Sequence, residues 1–426
     1  MKFLTLCTLL LFQVVALYAT TPDISEIKQQ PLKVVIAEAE KLYAEAVYED
    51  AYYYYKALSE MKRKLSQEDF YRLGKTALAV KDYQTVQDAL KSLLSKAKNY
   101  PLIHYEYASA LKYTGQYVLA AQHFTSYLNA NQNDSKNDYI KLAQIHLKAC
   151  QKALKEKEKT STWFLEDLAD ETAEEGTVYR ALTKASKYKI GLIECQTIKG
   201  TCLKKVYPDN TIEPLQGSVG NPIFNSVSPH IAPDGETVYF AQQEMGKTEY
   251  SVFSGKMTSR GEIEHIKKLG PGVNRIGYSS KHPTIGLTEQ GQEILYFAST
   301  LPGSQGGYDI WYAVRTIDGT FTMAYNLGTR VNGQGDEITP FYYQNDGELY
   351  FSSEKTAGYG GLDIYKMTGE KKRWKEAQAQ HLNSPVNSKG NDFHFKKTAR
   401  NKGSFSTDRG EGRKEKTVKY KKIIGA

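Results

Sequence analysis

GGYDIW at Gly306–Trp311 and GGLDIY at Gly360–Tyr365 are one cassette used twice, 54 residues apart. Each copy follows a second shared unit, ILYFAS at Ile294–Ser299 and LYFSS at Leu349–Ser353, with a glycine-containing turn ahead of it. A strand rich in aromatic and β-branched residues, a Gly-Gly turn and a second strand at fixed period is how radially repeated four-stranded sheets read. The fold is therefore approached as a β-propeller.

The period extends through Phe240, Phe297, Phe351 and Phe405, at intervals of 57, 54 and 54 residues. The turns Asp234-Gly235, Gln290-Gly291 and Asp346-Gly347 precede the first three of these strands, glycine supplying the positive φ of a hairpin. A connector recurs as LGPGVN, LGTRVN and LNSPVN, ending at Asn274, Asn332 and Asn387, whose side chains are expected to satisfy loop backbone. One more period back lies YKIGLI, Tyr188 to Ile193, a degenerate first blade with its hairpin near Lys199-Gly200. Five blades follow, with six as the alternative, over residues 165–426.

Residues 30–158 are different in kind, rich in Ala, Leu, Lys and Tyr. Ala39, Gly74 and Ala108 recur at intervals of 35 and 34, and so do Tyr48, Tyr83 and Tyr117. Small residues that let paired helices approach, with aromatics filling the next groove, are the mechanics of a tetratricopeptide-like α-helical solenoid. Three repeats fit, followed by a capping helix over Asn137 to Glu158. If the repeats are phased on those small residues, Glu40, Tyr43, Tyr71, Lys75, Tyr105, Ser109 and Lys112 face a concave groove suited to a peptide carrying an acidic group.

Residues 1–19 read as a signal peptide: Lys2, an apolar stretch from Phe3 to Leu17, then Ala19-Thr20-Thr21-Pro22. Export follows, and no later stretch approaches the ~20 apolar residues that span a bilayer. Cys7 has no small residue before it and does not read as an acylation site. Of the remaining cysteines, Cys195 and Cys202 flank the first hairpin and are candidates for a local disulfide, with reduced thiols as the alternative.

The net charge of +8 is matched by residues 396–422 alone, where eleven Lys or Arg face Asp408, Glu411 and Glu415. Such a stretch suits an anionic glycan or a solvated outer strand; no RNA-binding motif accompanies it, and nucleic acid is not expected. HExxH, GxSxG, GxxxxGK[ST] and GxGxxG are all absent, so neither an enzyme nor a cofactor is expected. Asp309 and Asp363 repeat in the cassette and read as turn-stabilising. Aligned on their first strands, the blades place Ser228, His282, Thr339 and His394 at equivalent positions, with Asp336, Glu337 and Asp392 nearby. Such a ring at the central channel would hold a cation or polar ligand, or else simply hydrogen-bond where each strand begins. No CxxC or other metal-ligand spacing is present, so no metal site is expected.

SPHIAPDGETVYFA, LYFSSEKTAGYGGLDIY and NLGTRVNGQGDEITPF resemble the PD40 class of WD40-like propeller repeats of exported Bacteroidetes proteins. With the helical repeats and leader, the arrangement is similar to the front portion of PorE-type periplasmic proteins of the type IX secretion and gliding-motility machinery. That resemblance implies a non-catalytic, outer-membrane-associated scaffold binding protein partners in the cell envelope, with a periplasmic glycan or peptidoglycan-fragment binder as the alternative. It supplies no catalytic residue. Members of that family continue into a peptidoglycan-binding domain that this sequence does not show.

Overall fold

A computed structural model describes residues 22–422, apart from 62–64, 133–137, 158–162, 168–176, 181, 184, 210, 289, 356, 368–377 and 411–414. The leader at 1–19 and Cys7 lie outside the described residues. Chain contacts divide the protein into two compact units, residues 1–110 and 111–426.

The first unit is helical. The short α1 (Ile24–Ile27) is followed by α2 (Leu32–Ala44), α3 (Tyr48–Glu60), α4 (Gln67–Ala79) and α5 (Tyr83–Leu90). Most of α6 (Ile103–Tyr113) also belongs here. Ser66 and Asp69 open α4 with a reciprocal capping box. Asp82 caps α5 by accepting from the Thr85 N–H at 3.1 Å. Gly74 lets α4 and α5 touch: a Cβ there would stand 2.5 Å from a Leu90 methyl. Ala39, Ala51, Tyr55, Leu58, Ala77 and Val86 are buried within the helices of this unit.

The second unit holds α7 (Tyr117–Ala130), α8 (Asp138–Lys157) and five four-stranded antiparallel sheets. In chain order, blade 1 comprises Val178–Arg180, Gly191–Thr197, Gly200–Val206 and Ile212–Pro214. Blade 2 comprises Val227–Ile231, Thr237–Gln243, Tyr250–Met257 and Ile263–Lys268. Blade 3 comprises Ser280–Leu287, Glu293–Ser299, Asp309–Val314 and Tyr325–Asn326, and blade 4 Glu337–Tyr343, Glu348–Ser353, Asp363–Met367 and Gln380–His381. Blade 5 is built from Asp392–Ala399, Lys402–Thr407 and Lys416–Lys422, with Trp163–Asp167 as its outer strand. That strand precedes blade 1 in the chain and ties the ring shut, so the propeller has five blades and the six-blade alternative is excluded.

The repeat unit has a clear physical basis. Phe240, Phe297, Phe351 and Phe405 sit fully buried in the second strand of their blades. Gly235, Gly291 and Gly347 take φ of 73°, 76° and 62° in the turns ahead of those strands. Each connector asparagine completes the ladder of a third strand. Asn332 Oδ1 accepts from the Ile310 N–H at 2.8 Å while its Nδ2 donates to the Ile310 carbonyl at 3.1 Å. Asn274 treats Val252 the same way, and Asn387 treats Ile364. Asp309 and Asp363 hold the cassette turns, accepting from the Gln305 N–H at 2.8 Å and the Gly360 N–H at 3.1 Å.

Apolar clusters fill four of the five junctions between blades. Leu192 and Leu203 meet Val238 and Phe240 between blades 1 and 2; Tyr239 and Val252 meet Leu295 and Phe297 between 2 and 3. Tyr296 and Ile310 meet Leu349 and Phe351 between blades 3 and 4, and Tyr350 and Ile364 meet Phe395 and Phe405 between 4 and 5. The fifth junction, between blades 5 and 1, is polar: the Thr417 hydroxyl donates to the Tyr179 carbonyl at 2.6 Å, and Arg180 pairs with Glu415.

Candidate functional site

The innermost strands of blades 2 to 5 share one distortion. Each carries a bulge, between Val227 and His230, Lys281 and Thr284, Ile338 and Phe341, and Phe393 and Lys396. At each bulge the residue named by the blade alignment is left-handed: Ser228 at φ 56°, His282 at 56°, Thr339 at 51° and His394 at 52°. Non-glycine residues, and a β-branched threonine above all, are seldom held there, and such strain concentrates where a fold is aiming a side chain. Proline follows three of the four, which fixes the chain beyond the bulge.

The bulges bring the four residues together at the propeller axis. The His282 and His394 rings lie edge to face with centroids 5.6 Å apart, although they come from blades that are not neighbours. Thr339 Oγ1 accepts from the His394 N–H at 3.2 Å. The Ser228 N–H donates to Glu194 at 2.8 Å, and Glu194 also accepts from Arg180 at 3.2 Å. Among the described residues, Ser228 Oγ, His282 Nδ1 and both ring nitrogens of His394 have no hydrogen-bond partner. Buried polar groups in native proteins are normally paired, so these atoms keep hydrogen-bonding capacity that the protein itself does not use.

The surroundings decide its sign. Lys281 and Lys396 approach the same axis, and neither forms an ion pair among the described residues. Lys281 lies over the Tyr308 ring at 4.0 Å, and Lys396 over Phe341 at 5.1 Å. Burial pushes the Lys396 ammonium down to about 8 and lowers Lys281 as well. Burial first, then the charges of Lys281, Lys396 and Arg180, hold His282 and His394 well below the usual imidazole range. Burial also lowers His230, to about 3. Glu194 is pushed up by burial, an effect that Arg180 and the bond from Ser228 counter only in part. Half-buried Tyr250 senses both Glu194 and Arg180, adding a second aromatic hydroxyl to the rim.

Two lysines at the ring disfavour the cation that the sequence allowed and leave its other readings, a polar ligand or hydrogen bonding where each strand begins. Of the carboxylates placed near the ring by sequence, Glu337 accepts from the Gly333 N–H at 2.6 Å and the Ser353 hydroxyl at 2.5 Å. Asp392 accepts from the Ser388 N–H and the Thr407 hydroxyl, each at 2.6 Å, and pairs with Arg409. Asp336 accepts from the Tyr308 N–H at 2.8 Å. All three are engaged in holding blade turns. Among the described residues, no group of His, Cys, Asp and Glu is gathered as a metal would require.

The helical groove is only partly present. Glu40 is exposed, and Tyr43, Tyr71, Lys75 and Tyr105 are half-buried. Tyr43 packs against Tyr48 and the Arg72 guanidinium, and Tyr71 stacks on Tyr100 at 4.5 Å. Ser109 is buried and donates to the Tyr105 carbonyl at 2.8 Å. Lys112 is fully buried, its Nζ 3.3 Å from His146 Nδ1 on α8, and burial lowers it to about 8. Neither presents its side chain to a peptide, since both are buried. Cys195 and Cys202 do face each other across the first hairpin, as free thiols. The hydrogen bond between them pulls Cys202 down to about 7 and pushes Cys195 up.

Sequence missed Lys281, Lys396, Glu194 and Arg180. Lys281 stands directly before His282, and Lys396 two residues after His394, so the blade alignment carried the signal.

No family model matches the chain, and no curated protein matches it. Solved structures with a similar propeller include the arabinanase of Bacillus subtilis, 14% identical over 59% of this chain and 96% of its own, at a TM-score of 0.41. An α-L-arabinofuranosidase from Lactobacillus brevis is 11% identical over 58% of this chain and 92% of its own, at 0.43. An endo-arabinanase from Bacillus licheniformis is 13% identical over 60% of this chain and 97% of its own, at 0.40. These structures correct the expectation of a secretion-machine scaffold without enzymatic activity. By name they are glycan-cleaving enzymes, and glycoside hydrolysis asks for two placed carboxyls, a requirement that none of the motifs sought in the sequence would reveal. At these identities the likeness extends to the fold alone.

Proposed function

We propose that the propeller binds an acidic saccharide at its axis, the acidic group entering among Lys281, Lys396, His282 and His394. The observation that carries this reading is the pair of ammonium groups that, among the described residues, have no ion-pair partner, beside imidazole nitrogens that there have no hydrogen-bond partner. In a low-dielectric site a carboxylate between two such cations gains far more than it would in water. Tyr308 and Tyr250 supply apolar ring surface with a polar tip, which suits the mixed faces of a sugar. The helical pairs fit the tetratricopeptide class: their corners at Ala46, Lys81 and Gly115 are all left-handed, 35 and 34 residues apart. The blades fit the PD40 class, and the leader supports export to the periplasm.

Isothermal titration with galacturonic acid and with galactose tests the site. The acid should bind, the neutral sugar should bind at least ~10-fold more weakly, and Lys281→Ala with Lys396→Ala should remove the difference. Equal binding of both sugars, or binding untouched by the double variant, would refute the assignment. Reducing-end release from longer uronate chains in the same protein reports cleavage.

A further inference from the structure

We infer that the junction between blades 5 and 1 carries the axial site outward, forming a groove that takes a chain of acidic sugar units. This rests on the acidic-saccharide reading of the axis. The physical cause lies in the alternation of one strand. In Lys416–Lys422, Val418 and Tyr420 belong to the apolar cluster shared with blade 4. Successive residues of a strand point to opposite faces, so Thr417, Lys419 and Lys421 face blade 1, as the Thr417 bond to Tyr179 confirms.

Register extends that face across the whole sheet. Lys396 stands opposite Ser404, Ser404 opposite Lys419, and Lys419 opposite Glu166. In the next row Lys402 stands opposite Lys421, and Lys421 opposite Phe164. Opposed residues share a face, so one row of side chains leads from the axial Lys396 to the outer edge, three strand spacings or roughly 14 Å away. A cleft of about 400 Å³ opens over the outer part of these rows, from Ser404 outward, lined by Lys402, Lys419, Lys421, Phe164, Glu166 and Leu182 among others. The three lysines are exposed and form no ion pair among the described residues, and Phe164 is 60% exposed. The other four junctions are closed by apolar side chains, whereas this one presents cations and an aromatic ring to an open channel.

A polymer that seats one acidic unit at Lys281 and Lys396 would lay its next units along this face, past Ser404 towards Lys419, Lys402 and Lys421. A monomer would not reach it. Titration of galacturonic acid, its trimer and longer oligomers into the full chain separates the two parts of the site. Wild type should bind the longer oligomers at least ~10-fold more tightly than the monomer, and Lys402→Ser with Lys421→Ser should remove that gain while leaving monomer affinity unchanged. Both lysines are exposed, so matching circular dichroism and melting should show that the variant folds. Oligomers no tighter than monomer would overturn the groove and leave the axial reading standing; failure of the monomer itself would sink the axial reading first. Equal affinity for single-stranded DNA would overturn the saccharide class.

Discussion

Asn332 is 2% exposed and makes three hydrogen bonds through one side-chain amide. It accepts from the Ile310 N–H at 2.8 Å and donates to the Ile310 carbonyl at 3.1 Å and to Asn326 Oδ1 at 2.8 Å. Asn332→Ala removes all three. The Leu327 N–H still reaches the Ile310 carbonyl at 3.1 Å, so the group that suffers most is the Ile310 N–H, buried beneath the fourth strand. An orphaned buried donor costs about 1–3 kcal/mol and each of the two further lost bonds about 1 kcal/mol, which together predict a destabilisation of about 3–5 kcal/mol. For a unit of this size that lowers the midpoint by several degrees, roughly 2–4 °C per kcal/mol. Asn332→Asp should be at least as damaging, since a carboxylate oxygen would then face the Ile310 carbonyl. The assay is urea unfolding followed by the fluorescence of Trp311, which neighbours Ile310. Asn387→Ala offers an internal replicate, because Asn387 makes the same pair of bonds to Ile364 in the next blade. A loss under about 1 kcal/mol in both variants would show that the connector asparagines do not complete the blades.

Acid should destabilise the propeller through its axis. His230, His282 and His394 have folded pKa values below the unfolded value, so their contribution is full above about 6.5 and falls by about 1.4 kcal/mol per pH unit for each as pH drops below it. His282→Gln with His394→Gln should flatten the slope of stability between pH 6.5 and pH 5; an unchanged slope would place the titrating groups elsewhere. Gly74→Ala should cost about 1–3 kcal/mol by driving α4 off α5, read from thermal melting of the helical unit, and a neutral result would mean that Leu90 swings aside freely. Ligand binding should weaken as pH rises through about 8, where Lys396 gives up its proton; titrations at pH 7 and pH 9.5 read this directly, and equal affinities would remove Lys396 from the site.

The blades were legible because each uses the same few side chains for the same tasks. Phe297 and Phe351 fill the sheet, Gly291 and Gly347 turn it, and Asn332 and Asn387 finish it, so repetition marked them at a fixed interval. The closing strand Trp163–Asp167 carried no such mark, since its partner lies about 255 residues later and nothing local encodes that pairing. The axis was half legible. Alignment put His282 and His394 at equivalent positions, and both stand at bulges of first strands, whereas the acidic residues read as their neighbours serve turns. The basic run at 396–422 could be read as a solvated tail because its sum of charge hides an alternation, Val418 and Tyr420 facing one blade and Lys419 and Lys421 the other. On the helices, the small-residue spacing found the Gly74 contact, yet it could not show that Lys112 meets His146, a contact made by a helix beyond the repeats.

The central claim is that two lysines at the propeller axis recognise an acidic sugar. Titration of an oligogalacturonate into wild type and into Lys281→Ala/Lys396→Ala, at matched low salt and pH 7, addresses it most directly. The account predicts saturable binding by the wild-type protein that weakens at least ~100-fold in the double variant, whose melting stays the same or rises as two buried charges are removed. Equal affinity in the two proteins, or no binding by a wild type shown to be folded, would contradict it.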